Sequence, residues 1–536
     1  MKPLVAAIAL LLATNAMAGS QVVAKKAALS TAHPFATQTG LEVLRRGGTA
    51  ADAAVAVAFA LAVVHPQAGN LGGGGFLVYY DASTRGVWTL DFRETAPLAV
   101  KRDSFTAEGS ARNGALAAGV PSSVAGIEAL YRKFGTQPWG DLLAPAIRAA
   151  SEGFRVDDEL ARDLAASQSA RKMTAPLFYP EGKALAAGAM LVQTDLAATL
   201  QRIALGGAKE VYEGEGAKKL VDAVHADGGL LGFRDLRDYQ PLWRAPIKLR
   251  FGQYDVYTVA PPSGAGLVLG EALNILSTYD LAALGFQTPA AIHTIAEAER
   301  RASIDRDKYL GDPSTTRIPY RELLSAERAN LWRKTIDPKR ATPAHTLTEP
   351  GGAAAPEREH TTHFTIADAK GNVIAFTTSL GENFGSGFIA PGLGFFLNNA
   401  MNDFSGGVNS VEAGKRPAST LAPTIVLRDN KPFLALGTRG GAAISGIVMN
   451  VFLNVAVYGK SLQDAIAAPR FDQQAAADDI VFESGRLAPA TTETLNALGH
   501  GVHGRDAFGD VHAILFTSGR MTAVADPRRG GAAGGF

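Results

Sequence analysis

Apolar and polar positions follow three rhythms along the chain. Ala50 to Val64 is an almost unbroken Ala/Val run with one charge, Asp52, and Pro66 just beyond it. This predicts a helix buried on all sides that stops before the proline, and it is too short to cross a bilayer. Ser123 to Phe134, Pro145 to Glu152 and Asp157 to Ala166 repeat apolar residues at helical spacing, with Leu160, Ala161 and Leu164 on one face. β-Branched and aromatic runs at Leu77 to Tyr80, Trp88 to Phe92 and Tyr254 to Val259 predict strands, the last leading through Ala260 to Gly266 into a helix from Leu267 to Leu276. Glu297 to Lys308 is charged at more than every second position and predicts a solvated helix with no catalytic part. Beyond residue 360 strands dominate. Phe364 to Ala367 and Val373 to Phe376 form a hairpin across Asp368-Ala369-Lys370-Gly371-Asn372. Further strands are expected at Gly394 to Leu397, Thr424 to Leu427 and Phe433 to Leu436, then an apolar helix from Ala442 to Val457. Val511 to Phe516 and Met521 to Val524 close the chain as a strand pair. Helices before residue 340 and strands between 361 and 440, without linkers or repeats, define a layered α+β fold.

Composition narrows the setting. With 47% hydrophobic residues among 536, the chain can build a large core, so the complete lack of cysteine leaves it without disulfide staples, thiolate nucleophile or Cys-ligated metal. Met1 to Ala18 combines Lys2, an apolar run from Leu4 to Leu12 and Ala16-Met17-Ala18, the pattern of a secretory signal peptide. Its removal takes the formal net charge from +1 to 0, because Lys2 is its only charge. Such a balance implies neither a nucleic-acid nor a membrane-surface partner, and export to a bacterial periplasm or beyond fits.

The chemistry is expected at the hairpin. Pro350 to Arg358 is small and polar and reads as a loop that runs into His360, Thr361 and Thr362 at the head of a strand. Thr often opens a strand; if the bond before it is cut, however, the new α-amine, with a reference pKa of about 7.7–8.0, can serve as base for the adjacent hydroxyl. Asn70 to Phe76 holds four glycines but lacks the Gly-Lys-Ser/Thr end of a phosphate loop, so they mark close backbone approach or positive φ. Arg93, at a strand end shortly before Pro97, is either a carboxylate clamp or a surface ion pair. Gly440-Gly441 precedes a helix and offers either oxyanion-binding N–H groups or a tight turn. His360 and His363 form His-x-x-His without the Glu or Cys partners of a metal site, and no Gly-x-Ser-x-Gly elbow occurs.

From about residue 25 to Phe536 the chain resembles the γ-glutamyltransferases (γ-glutamyl transpeptidases). The resemblance is carried by Gly72 to Phe76, Phe92 to Pro97, Ala260 to Gly266, Tyr309 to Pro313, Thr361-Thr362-His363, Asn398 to Ser405, Arg416 to Thr420, Gly440-Gly441, Ala468 to Phe471 and Asp526 to Arg528. It implies a four-layer αββα N-terminal nucleophile hydrolase fold, made as one precursor that cuts itself. Residues 1–18 would be the signal peptide, 19–360 a large subunit and 361–536 a small catalytic subunit, held together as a heterodimer in one intertwined domain. The processing site would be His360-Thr361, with Thr361 as nucleophile and base. Ser379 stands where a Thr normally tunes that nucleophile, and Gly440 and Gly441 would form the oxyanion hole. Arg93, Ser419 and Thr420 would hold the substrate α-carboxylate and Asp403 its α-amino group. The implied reaction passes a γ-glutamyl group through a Thr ester to water or to an amino acid or peptide acceptor, without a cofactor.

Two departures alter the amine site: Ala400 replaces the usual Gln or Glu after Asn-Asn, and Gly381 replaces a frequent Asn. They weaken preference for a free α-amino group, which makes a cephalosporin (glutaryl) acylase of the same fold the alternative enzyme. The short connection from Phe404 to Arg416 resembles members without a lid over the pocket, with hydrolysis outweighing transfer when acceptor is scarce. From another class, an unprocessed binding protein that keeps only the fold is a further alternative.

Overall fold

Fourteen strands pair into two seven-stranded antiparallel sheets in the computed structural model, which describes residues 20–105, 111–167, 170, 177–347, 360–475, 477–506 and 508–536. The expected signal peptide and the Pro350–Arg358 loop lie outside the described residues. The strands are β1 (Gln21–Ala24), β2 (Ala28–Thr31), β3 (Gly74–Asp81), β4 (Gly86–Phe92), β5 (Leu242–Arg244), β6 (Ile247–Phe251), β7 (Tyr254–Thr258), β8 (His360–Ala367), β9 (Val373–Gly381), β10 (Thr424–Arg428), β11 (Lys431–Gly437), β12 (His512–Thr517), β13 (Arg520–Ala525) and β14 (Ala532–Gly535). One sheet runs β1-β13-β12-β11-β10-β7-β6 and the other β14-β2-β8-β9-β3-β4-β5. Each sheet therefore takes strands from both sides of residue 360, and the hairpin β8–β9 sits at the centre of the second.

Helices cover the outer faces. The all-apolar helix α1 (Ala50–Val64) is buried along its whole length against the second sheet, in a cluster with Leu77, Phe364, Ile366 and Phe376. Helices α2 (Ala265–Leu276), α3 (Pro289–Tyr309) and α4 (Ile444–Ala456) cover the first sheet, in a core that also contains the inward residues of both sheets. The order is helix, sheet, sheet, helix, an αββα sandwich. Among the described residues no helix is long and apolar enough to cross a membrane.

Local chemistry explains the positions that matter. The four glycines of residues 72–75 show no positive φ; they are needed for close approach, since a Cβ on Gly73 would stand 2.1 Å from the Ser379 carbonyl oxygen and one on Gly75 2.3 Å from that of Thr377. Three expectations are corrected. Gly394 to Leu397 is not a strand: it holds only single bridges, because Gly394 turns at φ +77° against the backbone of Leu196. The helix expected from Pro145 begins at Trp139, with Pro145 inside it. The helix expected to be solvated is the largest correction. In α3, Glu297, Arg300, Arg301, Asp305 and Arg306 are buried in ion pairs such as Arg301–Glu297 at 2.5 Å and Arg328–Asp305 at 2.5 Å, and Glu299 is buried beside Asp472, where burial first and the neighbouring carboxyl next hold its pKa well above the usual range.

Candidate active site

Alternation along β8 divides its residues between two environments. Phe364 and Ile366 point into the helix-side core, where Phe364 stacks on Phe376 with ring centroids 4.7 Å apart. Thr361, His363 and Thr365 point between the sheets. Here His363 is bonded at both ring nitrogens, to Thr377 Oγ1 at 2.8 Å and Thr365 Oγ1 at 2.9 Å, and Gly437 across the gap leaves room for the ring. Burial holds the imidazole pKa well below its usual value, with His512 adding to the effect. A neutral ring fixed in this way supports the strand and presents no ligand edge to a metal.

Thr361 stands one step above His363 and pairs across the ladder with Ser379, so their side chains share a face. A register shift between His360 and Thr361 separates the strand end from the regular ladder. The Thr361 hydroxyl donates to Ser379 Oγ at 3.2 Å, and the same oxygen accepts the Gly381 N–H at 2.9 Å. Two donors on the Ser379 oxygen orient its lone pairs toward Thr361.

These hydroxyls open onto a cavity of about 130 Å³ whose wall also carries Arg93, Asp403, Ser419, Thr420 and Gly441. Arg93, 2% exposed, follows β4, and its backbone N–H is fixed by Asp91 at 2.9 Å. Its guanidinium donates to Glu94 at 2.7 Å, to the carbonyls of Pro417 and Ala418, and to Asp403. Burial disfavours the guanidinium charge, yet Glu94 and Asp403 outweigh that and raise the pKa. The carboxyl of Glu94 is pushed up by burial, a rise that Arg93 only partly offsets. Asp403 sits on a short 3₁₀ turn anchored by Asn398, whose side chain bonds to Gly72, Gly119 and Ala400. Asp312 accepts the Arg416 N–H at 2.7 Å, and Ser419 pairs with Ser263, so the Tyr309–Pro313 and Ala260–Gly266 stretches hold the Arg416–Thr420 loop in place.

Gly440 (φ +144°) and Gly441 (φ +59°) make the turn into α4 in conformations that a side chain would strain. Gly441 reaches the cavity wall; a Cβ on Gly440, one residue behind, would meet Ile447 at 2.9 Å. Of the two departures, Gly381 lines the cavity, whereas Ala400 is buried next to Gly119. The Ala468–Phe471 and Asp526–Arg528 stretches lie elsewhere, in a buried array where Asp526 meets both Arg470 and Arg528. Sequence reasoning missed Arg306, Asp307, Leu310, Ser405, Asn409 and Leu421, which complete the wall. Arg306 and Asp307 were hidden in the charge run of α3. Asn409 joins the Asp403 and Ala418 backbones by bonds of 2.8 and 3.0 Å, a role that one Asn in a glycine-rich loop does not signal.

The αββα sandwich, two stacked antiparallel sheets between helix layers, is the fold of the N-terminal nucleophile hydrolases, and here Thr361 stands at the head of a central strand beside a cavity with paired charges. The sequence model described as gamma-glutamyltranspeptidase matches residues 36–536, and the chain belongs to that family. It is 37% identical over 530 residues to the glutathione hydrolase proenzyme of Escherichia coli (strain K12), covering 94% of this chain and 91% of that one. It is 34% identical to the acylase ACY 1 proenzyme of Pseudomonas sp. (strain V22), over 92% of this chain and 91% of the relative. Among solved structures, the cephalosporin acylase from Bacillus halodurans superposes with a TM-score of 0.86 at 28% identity, covering 96% of this chain and 97% of that one.

Proposed function

We propose that the protein is a self-processing γ-glutamyl hydrolase and transferase, cut between His360 and Thr361 into two chains that stay together through their shared sheets. One observation carries the reading: the Thr361–Ser379 hydroxyl pair shares a cavity with the Arg93–Asp403 ion pair. A γ-glutamyl group ends in a carboxylate and an ammonium, and an Arg and an Asp side by side match that pair of charges. Arg93, with the hydroxyls of Ser419 and Thr420, takes the α-carboxylate, and Asp403 takes the α-ammonium. These contacts take the place of the bond between Arg93 and Asp403.

Once freed, the Thr361 α-amine removes the Oγ1 proton as the oxygen attacks the γ-carbonyl carbon, with Ser379 holding the hydroxyl in line. The carbonyl oxygen gains negative charge against the Gly440 and Gly441 N–H groups, and such donors typically contribute about 10²–10³ in kcat. The C–N bond then breaks, the proton passes to the leaving amine, and a Thr361 ester remains for water or an acceptor amine. The glutathione hydrolase relatives favour a glutathione-like substrate, and Met1 to Ala18 an exported, periplasmic enzyme.

The acylase relatives and the Gly381 and Ala400 departures favour a second reading, hydrolysis of glutaryl amides, which lack the α-amine. Intact mass of the wild type beside Thr361→Ala tests the processing: two fragments in the wild type only, the smaller beginning at Thr361, are expected. An uncut chain in both leaves a binding protein. Rates on γ-glutamyl and glutaryl p-nitroanilides then separate the enzymes, a preference for the glutaryl compound favouring the acylase.

A further inference from the structure

The cavity has a second charged pair that the proposed mechanism leaves unused. Arg306 and Asp307, near the end of α3, line it together with Leu310 and Leu421. They come from the helix layer over the first sheet, whereas Arg93 follows β4 of the second sheet, so the two pairs reach the cavity from different layers. Arg306 is buried but held in a fixed pose. Its Nε donates to Asp307 at 2.8 Å and its Nη2 to Gln474 Oε1 at 3.1 Å, and its stem packs where a side chain on Gly264 would collide at 2.9 Å. Nη1 makes no hydrogen bond to the described residues, which leaves that one nitrogen of the guanidinium for a ligand. Gln474 also donates to the Ala442 carbonyl at 3.3 Å, directly after Gly441, and so ties Arg306 to the glycine turn.

We propose that Arg306 and Asp307 form the acceptor site, which binds an amino acid or short peptide as a zwitterion: Arg306 takes its carboxylate and Asp307 draws in its ammonium. The inference rests on the transferase reading given above. The uncommitted Nη1 of a buried guanidinium binds a carboxylate by a charge-assisted hydrogen bond, and Leu310 and Leu421 supply an apolar surface for the acceptor's side chain or methylenes. In the transfer step the acceptor nitrogen attacks the ester carbonyl, forming a C–N bond as the C–Oγ1 bond of Thr361 breaks. Of the ammonium's three protons, one stays on the new amide, one returns to Thr361 Oγ1, and one passes to solvent through the α-amine.

The test uses processed full-length enzyme with γ-glutamyl p-nitroanilide, a donor whose leaving group has no carboxylate, and the acceptors glycylglycine and glycylglycinamide. The wild type is expected to use glycylglycine at least fivefold better in acceptor kcat/KM, and Arg306→Gln to abolish that preference. Asp307→Asn is expected to lower the transfer-to-hydrolysis ratio at fixed acceptor fivefold or more. Equal use of both acceptors by the wild type, a preference that survives Arg306→Gln, or a smaller change in Asp307→Asn overturns the inference. If Arg306→Gln does not fold, the wild-type comparison and Asp307→Asn decide. A wild type that releases no p-nitroaniline even without acceptor overturns the proposed function and this inference with it, whereas intact hydrolysis with unaffected variants overturns the inference alone.

Discussion

Asp403→Asn is the sharpest probe of substrate recognition. The substitution keeps shape, and the Asn409 side chain still donates to the residue 403 carbonyl at 2.8 Å, so the 3₁₀ turn should stay in place. The carboxylate charge, and with it the partner of a substrate ammonium, is lost. A hydrogen bond to a charged group contributes about 1.5–3 kcal/mol, which corresponds to roughly ten- to hundredfold in kcat/KM. Arg93 keeps Glu94 at 2.7 Å and loses only the negative charge of residue 403, so it binds a carboxylate at least as well. Glutaryl substrates, which have the carboxylate and no ammonium, should therefore lose little. Steady-state rates on γ-glutamyl and glutaryl p-nitroanilides are expected to show the ratio between them falling by about tenfold or more. Equal losses on both substrates, with thermal stability unchanged, would refute the assignment of Asp403 to the amine.

Ser379→Ala removes the acceptor of the Thr361 hydroxyl and should lower turnover about 10²-fold, the scale of one positioned proton-transfer partner, while Ser379→Thr restores most of it; equal rates in the Ala and Thr variants would exclude a tuning hydroxyl. Gly381→Asn puts a Cβ 2.0 Å from Asn399 Oδ1 at φ +95°, so it should cost about 1–3 kcal/mol in denaturant unfolding and not improve γ-glutamyl preference. His500 bonds the His293 ring at 2.7 Å, and burial followed by His293 holds its pKa down at about 4 against 6.5. Because the unfolded chain takes up this proton first, the stability it contributes is full above pH 6.5 and is lost as pH falls to about 4. The loss is about 3 kcal/mol at most. Unfolding midpoints across that range, compared with His500→Asn, should show the variant with a shallower slope.

Much of this was legible in the sequence. The apolar pattern placed α1 by its unbroken run, the 123–134 helix by its helical repeat and the central hairpin by two β-branched and aromatic runs across a turn. Thr361, Ser379, Arg93, Asp403, Ser419, Thr420 and Gly441 converge on one cavity although they are spread over more than three hundred residues. Motif resemblance supplied that grouping. Spacing alone could not, since the contacts depend on strand order and only the sheets bring residue 93 to residue 403.

The charge run of α3 shows where such reading stops. Eight charges in twelve residues obey the rule for a solvated face, yet Arg301 closes on Glu297, Thr335 and Thr342, and Asp305 on Arg328 and Trp332. Partners at a distance in sequence, Thr335 and Thr342 for Arg301 and Arg328 and Trp332 for Asp305, let these charges stay buried, and periodicity has no term for them. The same pairing that misled the sequence reading holds Arg306 and Asp307 on the cavity wall. A helix bound this firmly to its neighbours presents them as a fixed recognition surface, and a solvated helix would not.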